Sequence, residues 1–191
     1  SDFFLFIKIG KYRSRPAQSD DLHVDLWYKN SNLLCDTGSF MYNTSAREIE
    51  YFNRTKANNT PTLNGLDHMK KGSNFIWSDW IQSTNLVYKE EKGVYDIRLT
   101  MKAYSYLSKK INLTRNITLD TVGRELEVRD KIDWPGFNSN DHLVQSWHVY
   151  KKNLEKMSIT SNGLRSESEG YYSLYYGKKE SLVDIDFDNK S

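Results

Sequence analysis

The chain is 191 residues long, enough for one sizeable domain with its own core. Lys and Arg total 27 against 25 Asp and Glu; this near-balance does not predict a nucleic-acid binder with its basic stripe, though it leaves room for local positive patches. No window reaches the roughly 18 apolar residues of a membrane span, no signal peptide is present, and the single cysteine, Cys35, excludes an internal disulfide.

In chain order, the first element is the apolar run FFLFIKI at 3–9. A chain that enters such a run without a Met is expected to be a piece of a longer protein, with a preceding region removed. The next candidate strands are 22–28, 32–36 and 60–63. In the first of these Leu22, Val24, Leu26 and Tyr28 share one face, with His23, Asp25, Trp27 and Lys29 on the other. Cys35, in the run LLCD, reads as a small buried residue. One segment, Ala46 to Asn53, reads as helix. Ser45 and Glu48 have the spacing of a capping box, and Ile49 and Phe52 lie on one face.

Further strands are expected at 75–82, 86–91, 95–101, 111–119, 125–132, 143–150, 158–161, 164–167, 171–176 and 182–187. Strands about ten residues apart with polar turns predict an all-β fold: one domain over 1–191, an antiparallel two-sheet β-sandwich with one short helical insertion. The 13 Tyr and 5 Trp suit stacking on sugar rings, but most are expected to fill the space between sheets. N-x-S/T triplets begin at Asn43, Asn53, Asn58, Asn112, Asn116 and Asn189. In a eukaryotic secreted protein these would be glycan acceptors, although an Asn-rich composition also yields them by chance.

The stretch 15–65 is the most informative. It contains QSDDLHVDLW from Gln18, LLCDTGSFMYN from Leu33 and RTKANNTPTLNGLDHM from Arg54. Taken together, order and spacing resemble the signature segments of heparinase II/III-like polysaccharide lyases and related alginate lyases. That family's C-terminal β-domain carries an HADxLHxDLW-like run, an apolar strand ending in D-x-G, and a segment like RxxxxHNTVxVDG. The resemblance directly covers about a quarter of the chain, and the all-β remainder is compatible with it.

The resemblance implies a two-part enzyme, an N-terminal α/α toroid packed on a C-terminal β-sandwich with an acidic polysaccharide in the cleft between them. It implies β-elimination on a uronate glycan such as a glycosaminoglycan or alginate. The substrate carboxylate must be neutralised, a base must take the C5 proton, and an acid must protonate the leaving oxygen. In the family the Asn or His and the Tyr that do this come largely from the toroid, so the isolated domain is expected to be inactive. Such proteins are mostly bacterial and exported, which implies a periplasmic or extracellular location.

Carried over residue by residue, Gln18 stands where the family has its first metal-ligand His, Asp36 at the ligand Asp, and Asn58 at the His of HNT. Pro16 occupies the position of the catalytic His, two residues before the first ligand. Amides lack the imidazole nitrogen that zinc favours, so no cofactor is expected; oxygen-ligated calcium is the metal chemistry left open. The structural alternative is that the three side chains hydrogen-bond one another.

Gln18, Arg54, Asn58 and Asn59 are the candidate substrate-binding residues. Arg54 suits a carboxylate clamp or a loop anchor equally. His23 is the catalytic candidate, a general base oriented by Asp25, or else a partly exposed strand histidine. His68, after the turn NGLD, reads as surface; His148 lies in a strand, and His142 carries no motif. Two functions therefore stand: one wall of a lyase cleft, or a degenerate glycan-binding scaffold. An unrelated adhesion sandwich fits the composition but not the pattern at 15–65.

Overall fold

The alternating sequence folds into antiparallel ladders. The structure, a computed structural model, describes residues 2–41, 43–73 and 76–190. Strands β1 (Phe3–Ile7), β2 (Val24–Tyr28) and β3 (Ser31–Leu34) form one sheet in that order. Helix α1 (Ala46–Asn53) and a 3₁₀ turn (Thr55–Ala57) precede β4 (Pro61–Leu63), and β5 (Lys70–Lys71) pairs with β6 (Trp77–Ser78). Next come β7 (Thr84–Glu91), β8 (Val94–Lys102), β9 (Asn112–Asp120) and β10 (Glu125–Asp133), a meander ordered β10-β9-β8-β7. Finally β11 (His142–Val149), β12 (Leu164–Tyr175) and β13 (Lys178–Lys190) join β4 in the order β12-β13-β11-β4.

Local sequence accounts for much of this. In β9 Leu113, Arg115, Ile117 and Leu119 are buried, while the residues between them are half-exposed. β7 and β8 are joined at Lys92 and Gly93, both with positive φ, the backbone that a two-residue hairpin turn requires. Helix α1 starts at Ser45, whose Oγ accepts the Glu48 N–H, and the Glu48 carboxylate accepts in return from the hydroxyls of Ser45 and Thr44. The apolar faces meet in one cluster that joins Val24 and Leu26, Leu99 and Leu113, and Trp147 and Ile185. The fold is thus the expected β-sandwich, with the helix as its insertion.

Several expectations are corrected. The segments 164–167 and 171–176 are one strand, β12, running through Gly170. A Cβ on Gly170 would lie 2.2 Å from Asp184 Oδ1, so this glycine makes room for a carboxylate and does not end the strand. Residues 158–161 form no strand; the chain passes through a 3₁₀ helix at Lys151–Lys156, which Asn153 Nδ2 ties to the Asn32 carbonyl. Of 75–82 only Trp77–Ser78 is strand, and Phe75 lies outside the described residues.

His68 is fully buried. The turn after Leu63 folds back so that its ring meets Tyr104 edge-on at 5.5 Å, and its Nε2–H donates to the Pro61 carbonyl at 2.7 Å. Burial pulls its pKa down to about 4.

The segment 36–60, including α1, lies against the outer face of the β11–β13 ladder. Lys56 Nζ pairs with Asp186 at 2.9 Å, the Tyr51 hydroxyl reaches Asp184, and Ser173 N–H donates to Thr37 O at 2.8 Å. The 36–60 part of the motif therefore forms a polar layer over one sheet, while its flanks supply strands β2, β3 and β4.

Candidate functional site

Loops 15–23, 35–40 and 54–60 converge, and the sequence explains how. Gln18 Nε2 donates to the carbonyls of Gly38 and Phe52, at 3.2 Å each. Asp36 Oδ1 accepts the Gly38 N–H at 2.6 Å, an Asx-type turn, and Thr37 Oγ1 donates to Ala57 O at 2.8 Å. Asn58 Nδ2 donates to Arg54 O at 3.2 Å. Gln18, Asp36 and Asn58 thus bond the main chain and not one another: Gln18 and Asp36 meet at Gly38, while Asn58 turns back on its own loop.

Asn59 is fully buried at the joint between the elements. Its Nδ2 donates to Val24 O (2.8 Å) and Cys35 O (3.0 Å), and its Oδ1 accepts from His148 N–H (2.6 Å). Proposed from sequence to bind substrate, Asn59 has its amide consumed internally and offers a ligand no surface. Asn58, 2 % exposed, is little different. Buried polar groups in such a joint must satisfy one another, because water cannot. Arg54 is spent on the protein's own carboxylates, its Nε on Asp67 and its Nη1 on Glu50 at 2.5 Å. Despite that guanidinium, burial raises the Asp67 pKa.

His23, just before β2, is buried and not strand-exposed, because the loops that carry Asn59 and Asp36 lie against its ring. The carboxylate facing it is Asp36, with Oδ2 at 3.8 Å from Nε2. Asp25, expected to orient it, accepts from Asn32 Nδ2 at 3.1 Å, and burial lifts the Asp25 pKa to about 6. The Asn59 N–H donates to His23 Nδ1 at 3.1 Å. The neutral ring therefore carries its hydrogen on Nε2, and its lone pair is already engaged. Burial, against the pull of Asp36, lowers the ring's pKa to about 4. At neutral pH the His23 ring accepts one hydrogen bond at Nδ1, its Nε2–H is buried without an acceptor within hydrogen-bond distance, and it has no free basic nitrogen.

Sequence reasoning missed a second histidine arrangement. His148 Nδ1 lies 2.6 Å from Asp184 Oδ1, and its Nε2 is 3.0 Å from Lys56 O. A carbonyl only accepts, so Nε2 bears a hydrogen, and another hydrogen must lie between Nδ1 and the carboxylate. The pair fastens the 54–60 loop onto β11. The one available signal was Gly170 in mid-strand, which cradles Asp184. Arg115, the other missed residue, is fully buried. It bonds both Asp130 oxygens at 2.8 Å and gives Nη1 to the carbonyls of Leu22 (2.7 Å) and Asn59 (2.6 Å).

The accessible rim holds the Asp36 side chain, 45 % exposed, and the tip of the β12–β13 ribbon. Tyr175 and Tyr176, 71 % and 67 % exposed, stand at that tip. The ribbon is tied to the Asp36 loop by a bridge from Gly38 to Ser173 and by Gly177 N–H to Phe40 O at 3.2 Å. This rim offers hydrogen-bonding groups and aromatic faces. The half-buried Tyr51 hydroxyl is not a ready acid, since desolvation pushes its pKa well up.

The metal set implied by resemblance does not fit these residues. Both amide nitrogens are turned to carbonyls, leaving one carboxylate, and zinc takes imidazole or thiolate. Calcium takes about six to eight oxygens, more than this trio supplies. Among the described residues no three His, Cys, Asp or Glu side chains gather as a metal site.

Comparison with known proteins adds the family. The model described as "Heparinase II/III-like, C-terminal" matches residues 1–182. Among solved structures, a heparinase III described as the BT4657 gene product with methylated lysines superposes with a TM-score of 0.73 at 13 % identity, over 98 % of this chain and 30 % of its own. The heparan sulfate lyase HepC from Pedobacter heparinus gives 0.72 at 15 % identity, over 97 % and 30 %. A third structure, titled Heparinase III, gives 0.64 at 13 %, over 99 % and 31 %. The chain thus spans about 30 % of the length of these proteins, and at such identities the likeness is one of fold. No curated protein matches it in sequence.

Proposed function

Because the chain belongs to the heparinase II/III-like C-terminal family, we propose that it forms one wall of the glycan cleft in a longer, exported polysaccharide-lyase-like protein. The substrate class is an acidic, uronate-containing glycan. In β-elimination a base takes the C5 proton, the electron pair forms a C4=C5 double bond, the C4–O bond breaks, and an acid protonates the leaving oxygen. This wall supplies contacts and shape, and the proton-transfer groups come from the rest of the longer chain. One observation carries that division of labour: the Asn59 N–H occupies the Nδ1 lone pair of His23, the histidine that the LHVDLW run keeps. Gln18 and the exposed Asp36 contact sugar hydroxyls, Tyr175 and Tyr176 stack on sugar faces, and no step is assigned to a metal.

The test uses the full-length protein with heparan sulfate and alginate as probes, read by ultraviolet absorbance of the new double bond. Turnover is expected on one of them. His23→Gln should lower kcat by less than about threefold, where loss of a general base costs at least about 100-fold. A 100-fold fall in kcat with an unchanged fold would overturn the division of labour.

A second reading, a scaffold that binds glycan without cleaving it, is favoured by the commitment of the Gln18 and Asn58 amides to main-chain carbonyls. Binding to either polymer without any absorbance change would establish it over the first.

A further inference from the structure

β1 has the sequence FFLFI, apolar at every position. A strand with solvent on one side normally alternates, whereas one that is apolar throughout is covered on both faces. One face of β1 is accounted for: Phe3, Leu5 and Ile7 pack with Val24 and Leu26 against the core. The other face is bare in this chain. Phe4 is 61 % exposed and Phe6 48 %, and Trp27, directly opposite Phe4 on β2, is 38 % exposed. A shallow hollow beside them is lined by Asp2, Phe3, Phe4, Trp27 and Asn30.

We infer that the Phe4–Phe6–Trp27 face is a docking surface for the remainder of a longer chain, covered by an apolar segment of that same polypeptide. The inference rests on the two-part reading under Proposed function, since the chain spans only about 30 % of the solved proteins it resembles. The chemistry favours polypeptide over sugar. Two of the three rings are Phe, with no polar atom to bond a hydroxyl. Of the neighbouring polar groups, Asn32 is paired with Asp25 at 3.1 Å and Lys29 with Asp2 at 3.7 Å. An aromatic centre with a polar rim is the anatomy of a protein interface.

Hydroxyl-radical footprinting of the native full-length protein tests this without altering the face, and it involves neither glycan nor turnover, so its failure would leave the glycan reading standing. Phe4, Phe6 and Trp27 should be oxidised at least tenfold more slowly than their exposure in this domain requires, at every protein concentration. In the full-length Phe4→Ser/Phe6→Ser variant, Trp27 oxidation should rise at least fivefold while the buried Trp77 and Trp147 stay protected, which shows that the core is intact.

Oxidation of the unaltered face at the full rate of an open surface would overturn the proposal. So would protection that appears only on concentrating the protein, which would indicate a second copy. Protection that appears only on adding heparan sulfate oligosaccharide would also overturn it, in favour of a sugar platform.

Discussion

The β7–β10 meander and the polar layer around Asn59 are built on different principles. In the meander the sequence alternates, each strand pairs with its neighbour in the chain, and burial of Leu113, Ile117 and Leu119 supplies the stability. In the layer, many carbonyls and amides find their partners on side chains far along the chain, 20 residues away for Thr37 and Ala57 and 113 for Cys35 and His148. Apolar burial is non-directional and degrades gradually. A buried polar joint fails abruptly, because removing one partner leaves another donor or acceptor unsatisfied.

Arg115 is where the two regions meet, and it offers the largest test. Arg115→Met strands the Asp130 carboxylate and frees two buried carbonyls, so urea denaturation should show a loss of about 3–5 kcal/mol. Adding Asp130→Leu should recover more than half of it. If the double variant is as unstable as the single one, packing and not the stranded charge explains the loss.

Asn59→Ala comes next, at about 2–4 kcal/mol, since it removes three buried hydrogen bonds. Its counterpart on the half-exposed side of the meander, Asn116→Ala, should stay within about 0.5 kcal/mol. Equal losses at the two positions would erase the distinction between the regions.

Acid should weaken the layer through His23 and His68. Both have pKa values near 4 in the fold against an ordinary 6.5, so the unfolded chain takes up protons first. Their contribution is complete above about pH 6.5 and is lost as pH falls towards 4, roughly 2 kcal/mol per histidine by pH 5. Asp25, raised to about 6, acts in the opposite sense and offsets part of the loss between pH 6 and 4. Stability measured from pH 7 to 5 should therefore decline, and His68→Gln should remove well over half of the net decline, because the Asp25 offset remains. A flat profile in the unsubstituted protein would contradict the burial of both rings.

The smallest predicted loss is a contrast between two glycines. Gly170→Ala pushes a methyl into the Asp184 carboxylate and should cost about 1–3 kcal/mol, whereas Gly10→Ala meets nothing within 4 Å and should cost close to none. Thermal unfolding of the two variants decides it. Comparable shifts in Tm would show that the Asp184 cradle imposes no constraint.

The same division marks what was legible beforehand. Most strands, the helix with its Ser45 cap and the sandwich class follow from periods and turn residues, which are local. Trouble came where a residue's partner is distant. His68 looked like a surface residue because its turn is polar, yet the turn folds under Tyr104. Gly170 looked like a break because Asp184, on the neighbouring strand, is invisible in the local sequence. Asn58 and Asn59 stand in the loop that the motif marks, but whether an amide faces a ligand or the main chain depends on elements brought together only by folding.

By itself, then, the sequence determined an all-β chain with one capped helix and a motif at 15–65, because alternation and capping act over a few residues. Only the tertiary structure decided that the His23 lone pair is taken by the Asn59 N–H and is not free to act as a base, that Arg115 and Asp130 are buried together, and that one face of β1 stands open. Each of those depends on which groups are brought within hydrogen-bonding reach or left in contact with water, and sequence spacing does not encode that distance.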